Sequence, residues 1–184
     1  GLGDVYKRQV YVPAGTYRTQ SLFLQSNTTL YLEKGCTLLG GTDRRDYPIL
    51  PGVLPCHNEK DEKYLALWEG NPLDSFAALI NVINAENVTI TGEGTLDCNA
   101  QNGDWYQNPK QKKIAWRPRL FFTSGAKNVV LHGVLACNSY SWTIHPTYSE
   151  NVDILNIRIR NSSQSPNTDG IDPESRKNVN IIGN

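Results

Sequence analysis

The sequence has no long apolar run: nowhere do apolar residues approach the roughly 20 in succession that a membrane-spanning helix needs. It has no charge bias either. Lys and Arg number 18, and so do Asp and Glu. A neutral total removes the electrostatic argument for nucleic acid or an anionic membrane as partner, although a local basic cleft for an acidic polysaccharide can hide inside it. Cysteine is sparse. Cys36, Cys56, Cys98 and Cys137 are well spread, with no C-x-x-C pair, so a zinc site is not expected. Buried apolar thiols are the plainer expectation for these four, and a single disulfide is the other. Residues 1–9 (GLGDVYKRQ) show neither a secretory leader nor strand alternation, and they read as a non-native leader. The pattern stops at Asn184, one strand into a new repeat, so both termini read as cut. At 184 residues the chain fits one domain with a sizeable core.

What is present is a repeat. Asn-Val dipeptides at 87–88, 128–129, 151–152 and 178–179 each open a short alternating strand. The last three lie one repeat apart, and the longer first interval reads as about two repeats holding a Trp- and Lys-rich insertion near 101–118. An older copy begins at Asn27. Within the copies Val88, Ile90, Val129, Leu131, Val152, Ile154, Val179 and Ile181 fall on one face, and Ile157 and Ile159 belong to a second strand over 156–160. Period two with Gly, Asn and Ser punctuation predicts strands, and no part of the repeat region carries sustained helical spacing.

Such short strands cannot bury an apolar face alone, but stacked as coils they can. A leucine-rich repeat would need its own Leu consensus and a helix per repeat, and a sandwich gives no reason for Asn to recur in phase. In a solenoid stacked Asn side chains bond to one another and tolerate tight turns. The fold class predicted is therefore all-β, an incomplete right-handed single-stranded parallel β-helix over 10–184. Residues 42–76, rich in Pro and charge, read as an excursion that either walls a cleft or covers the end of the stack.

The segment Asn167-Thr168-Asp169-Gly170-Ile171-Asp172 holds two carboxylates three residues apart. Asp-Gly is a turn former, so a plain turn is the simplest reading. Register adds a site: one coil earlier lies the window 142–146, with Trp142 and His145, and adjacent coils are about 4.8 Å apart. His145 and Asp169 are therefore expected on adjacent coils facing one groove, with Trp142 offering a surface for sugar rings. Strict alternation would put Asp169 and Asp172 on opposite faces unless Gly170 bends the strand.

At these residues the chain resembles family 28 of the glycoside hydrolases. The resemblance rests on Val10–Tyr17 (VYVPAGTY), Asn87–Asp97 (NVTITGEGTLD), Arg117–Leu120 (RPRL), Ser141–Pro146 (SWTIHP) and Asn167–Asp172 (NTDGID), and covers about Val10 to Asn184. It implies hydrolysis of α-1,4-galacturonosyl bonds in pectin by a metal-free inverting mechanism, in a monomer that is secreted or periplasmic. Asp169 would be a water-activating carboxylate, while His145, Asn167, Asp172 and Trp142 would line the sugar-binding groove. The family's Gly-Asp-Asp motif, which carries the general acid, is expected about one coil after Asp169, past Asn184, so these 184 residues alone are expected to be inactive. Cys98-Asn99-Ala100 depart from the Gly usual after Asp97. A calcium-dependent pectate lyase and a non-catalytic carbohydrate-binding or adhesion β-helix are the alternatives.

Overall fold

The computed structural model of the chain describes residues 8–55 and 63–184. Three parallel sheets run along the described residues, stacking strands from successive coils. The first holds Arg8–Val12, Thr28–Leu32, Glu86–Gly92, Lys127–His132, Glu150–Leu155 and Lys177–Ile182. The second holds Gly15–Thr19, Cys36–Gly40, Thr95–Asp97, Leu135–Cys137 and Arg158–Arg160. The third holds Leu22–Phe23, Ile80–Ile83, Phe121–Ser124 and Ile144–Thr147, and parallel bridges from Ile144 to Ile171 and from Thr147 to Glu174 extend it. Six strands in the first sheet and five in the second make five coils and one further strand. This is a parallel β-helix.

The alternating residues fill its interior as the sequence requires. Val88, Val129 and Val152 stack in one column, Leu30, Ile90, Leu131 and Ile154 in the next, and all are buried. Each such side chain contributes about 1.5–3 kcal/mol through burial, so a slip of one residue would be costly in every coil. Ile157 is buried, and Ile159 and Val179 are half-buried against the same core. Ile181 departs from expectation at 46% exposed. It lies on the edge strand, with no further coil over it among the described residues, and Val10 lies on the opposite edge, where it is 48% exposed.

The asparagines form the expected ladder. Asn27, Asn87, Asn128, Asn151 and Asn178 all take left-handed backbone angles, φ 54° to 60°, a conformation that Asn tolerates better than other side-chain-bearing residues. The amide nitrogens of Asn87, Asn128, Asn151 and Asn178 each donate to the side-chain carbonyl oxygen of the Asn one coil below, at 3.0–3.1 Å. Two sequence expectations need correction. Val88 pairs directly with Val129, so the interval between those Asn-Val copies is one coil swollen by its insertion rather than two repeats. The first strand starts at Arg8, which pairs with Thr28, two residues before the expected boundary; residues 1–7 lie outside those described. Cys36, Cys98 and Cys137 are buried free thiols, and Cys56 lies outside the described residues.

The excursion folds back onto the helix. Short antiparallel pairs join Ile49–Leu50 to Ser75–Phe76, Val53–Leu54 to Lys63–Tyr64, and Leu67–Trp68 to Asn71–Pro72. Leu50, Leu65 and Ala66 pack on Ala77, Ala78 and Phe122, which covers the outer face of the third sheet on its second and third coils. Beneath its root, Trp105 meets Tyr47, Phe76 and Tyr140 at centroid distances of 4.7–5.7 Å. No helix is long and apolar enough to cross a membrane among the described residues.

Candidate active site

The outer face of the third sheet is a grid set by strand register. Phe122, His145 and Asp172 stand in one column, and Ser124, Thr147 and Glu174 in the next. On the other side Arg119, Trp142 and Asp169 follow one another, fixed by the Phe121 amide bonding the Thr143 carbonyl and the Thr143 amide bonding the Asp169 carbonyl, both at 2.9 Å. His145 therefore lies on the coil adjacent to Asp169, as expected, but it stands directly beside Asp172.

The loop carrying Asp169 is held by neighbours rather than by a sheet. Residues 168–170 leave the strand, with a bend at Gly170, and Ile171 returns to pack against the core. This break allows Asp169 and Asp172 to share one side in spite of their spacing. Buried Arg117 donates to the carbonyls of Tyr140 and Pro166, both at 2.8 Å, and to Asn167 Oδ1 at 2.6 Å. Asn161 bonds Thr143 Oγ1 at 2.8 Å and the Thr168 carbonyl at 3.1 Å. Asn167 takes φ 56°, so its identity suits both the turn and the arginine.

The two carboxylates sit in different surroundings. Asp169 is exposed and Asp172 half-buried. Burial, with the Asp169 charge beside it, pushes the Asp172 carboxyl up to about 6, although Arg119 pulls the other way. One oxygen of Asp172, Oδ2, is buried without a hydrogen-bond partner. A carboxyl raised in this way beside a second acid is a recurrent mark of acid-base sites.

His145 does not face an open groove. Its side chain is fully buried (0% exposed) beneath the edge of the Trp142 ring, 5.0 Å away, and beside Phe122. Burial and the Arg119 charge push its imidazole down to about 2. The neutral ring then donates through Nε2 to Glu174 Oε2 at 3.1 Å. Trp142 is also less available to a sugar than expected. Trp68 from the excursion stacks on it at 4.4 Å and 15°, and Trp116 lies 6.2 Å beyond Trp68. Trp68 of the excursion thus covers one face of the half-buried Trp142, and Asp169 stands exposed one coil further on.

Sequence reasoning missed Trp68, Arg119 and Glu174. Arg119 lay within the quoted Arg117–Leu120 stretch but carried no pattern of its own, and nothing local marks Trp68 as a partner of Trp142. Five buried side-chain polar atoms lack partners among the described residues, and four of them belong to this patch: Arg119 Nε, His145 Nδ1, Thr147 Oγ1 and Asp172 Oδ2. Such atoms normally mark where solvent or a ligand group completes the shell.

Fold and site together define a parallel β-helix that presents adjoining carboxylates and an indole wall on one sheet. The chain belongs to the glycosyl hydrolases family 28, whose model matches residues 3–184. It is 34% identical over 175 residues to a probable polygalacturonase of Vitis vinifera, an alignment covering 94% of this chain and 33% of that protein. Among solved structures it resembles a hyperthermoactive exopolygalacturonase of Thermotoga maritima, with TM-score 0.76, 30% identity, and 95% of this chain and 44% of that one covered. A polygalacturonase of Erwinia carotovora ssp. carotovora has the same fold, with TM-score 0.72, 24% identity, and 95% and 47% covered. The chain therefore spans between 33% and 47% of the length of these three relatives.

Proposed function

We propose that this chain carries the water-activating half of a polygalacturonase-type hydrolytic site, in a protein that cleaves α-1,4-galacturonosyl linkages of pectin with inversion. The observation that carries the reading is the Asp169–Asp172 pair one coil beyond the stacked indoles, one acid exposed and the other kept protonated up to about pH 6 by burial and by its neighbour. Asp169 is the base. It takes a proton from the water that attacks the anomeric carbon, while an acid on the opposite side protonates the leaving oxygen; the two carboxyls stand roughly 6.5–9.5 Å apart in such enzymes. We place that acid on a coil stacked over Lys177–Ile182.

Asp172 and Asn167 line the sugar path. The Asn167 carbonyl oxygen is taken by Arg117, which leaves its amide N–H groups to donate. His145 acts from beneath, holding Glu174 in place. The protein works as a monomer on an extracellular or periplasmic polysaccharide and needs no cofactor.

The test is release of reducing ends from polygalacturonate by the full-length protein carrying these residues. Asp169→Asn should lower the rate by about 10²–10⁴, chelation should leave it unchanged, and residues 1–184 alone should release none. Undiminished hydrolysis by the Asn variant, or robust hydrolysis by the 184 residues, would overturn the assignment. Activity lost on chelation would point to a calcium-dependent lyase instead.

A further inference from the structure

Arg119 stands on the outer face of the third sheet, yet it is 2% exposed. A buried guanidinium is costly unless its surroundings compensate it. Here one nitrogen, Nη2, donates to the Leu67 carbonyl at the tip of the excursion. The Cζ atom lies 5.3 Å from the ring centres of both Trp68 and Trp142 and 6.0 Å from Phe122. Its other compensation is electrostatic and acts at longer range, from Glu174 and Asp172. The Nε atom is buried without a partner, as is Asp172 Oδ2. So one side chain touches both parts of the groove: the indole wall, through contact and a hydrogen bond, and the carboxylates, through charge.

We infer that Arg119 is a positioning residue of the hydrolytic site, fastening the Leu67–Trp68 tip onto Trp142 and setting a buried cation beneath the coil that carries Asp169 and Asp172. The inference rests on the proposed hydrolase reading for its kinetic consequences but not for its electrostatic ones. The planar guanidinium suits the first task, because it can lie against flat indoles and still donate in its own plane, which an ammonium cannot. The permanence of its charge suits the second. The titratable and charged groups around Asp172 are Asp169 and Glu174 on its own segment, His145 on the strand beneath and Arg119 one coil further down. Glu69 is exposed on the excursion tip, next to Gly70, where an added Cβ would lie 3.9 Å from Glu174 Oε1. Arg119 is the cation that the Asp172 carboxyl feels.

The two tasks separate by substitution in the full-length protein. Arg119→Met removes the charge and keeps much of the bulk, so the Asp172 carboxyl, followed by ¹³C NMR and assigned through Asp172→Asn, should titrate about 0.5–1 pH unit higher. Arg119→Lys keeps the charge and loses the planar stack, so the titration should stay within about 0.2 pH unit while KM rises several-fold and the near-ultraviolet circular dichroism of the stacked tryptophans weakens. If Arg119→Met fails to fold, Arg119→Gln removes the charge while keeping a donor for the Leu67 carbonyl, and the carboxyl should again titrate higher. An unmoved Asp172 titration in a folded Arg119→Met or Arg119→Gln protein overturns the inference. So does an equal fall of kcat in the Lys and Met variants with no change in KM or pH profile, which is the signature of mere folding damage. A protein inactive on polygalacturonate whose Asp172 titration moves as stated keeps the electrostatic coupling and removes the reaction.

Discussion

The first sheet and the outer face of the third differ in how their polar groups are settled. In the first sheet the asparagine ladder closes on itself, each side chain donating to the one below at 3.0–3.1 Å from Asn178 down to Asn27, over columns of Val, Ile and Leu. On the third sheet an arginine and a histidine are buried, a carboxyl keeps its proton up to about pH 6, and four buried polar atoms stand unpartnered. The same coil geometry supports both. One region spends its interactions on register; the other leaves interactions unmade, as sites that must receive a ligand commonly do.

Truncating a fully enclosed residue of the first sheet should have the largest effect on stability. Leu131→Ala should cost about 2–5 kcal/mol in chemical denaturation, because its neighbours on both adjacent coils hold the cavity open. Ile181→Ala on the edge strand should cost much less, since the side chain it shortens is already 46% exposed; equal losses at the two positions would mean that the interior columns do not fix the register. Asn128→Ala should follow at about 1–2 kcal/mol, because it breaks two rungs of the ladder and places a side chain without an amide at φ 54°.

The third sheet should respond with the opposite sign. The folded Asp172 carboxyl titrates at about 6, whereas an unfolded aspartate titrates near about 3.9. Between those values the folded state binds more protons than the unfolded state, so this group's contribution to stability falls as pH rises through about 4 to 6 and its full cost is in place above. Asp172→Asn should therefore stabilise the protein at pH 7, by about 1 kcal/mol once solvent screening of this half-buried group is allowed for, and the gain should vanish below about pH 4. Melting temperatures of the pair at the two pH values check this. A variant destabilised at pH 7 would mean that the carboxylate makes a structural bond the geometry lacks.

The same contrast explains what could be read from the sequence. The coil, its interior columns and the asparagine ladder were legible because each is a local pattern repeated in phase, Asn-Val followed by alternation. Asp169 and Asp172 were legible as a pair, and Gly170 as the bend between them. The surroundings that give them their character were not. Trp68 meets Trp142 across 74 residues of chain, Arg119 reaches the excursion through a backbone carbonyl, and His145 is buried between Phe122 of the coil below and Trp142 of its own coil. None of these contacts has a period, so the imidazole read as a groove residue when it is a buried support. The swollen coil was misread for a related reason: a repeat interval counts residues, and an insertion between the second and third strands lengthens it without adding a coil.

The central claim is that Asp169 activates a water and does not itself attack the sugar. The most direct test follows the anomeric proton of the first product by NMR as the full-length protein cleaves an oligogalacturonate, before mutarotation mixes the forms. Water delivered by Asp169 to the face opposite the leaving group converts the α-linkage to a β-configured reducing end, and that β signal should appear first. An α signal appearing first would mean retention through a covalent intermediate, and would contradict the role given to Asp169.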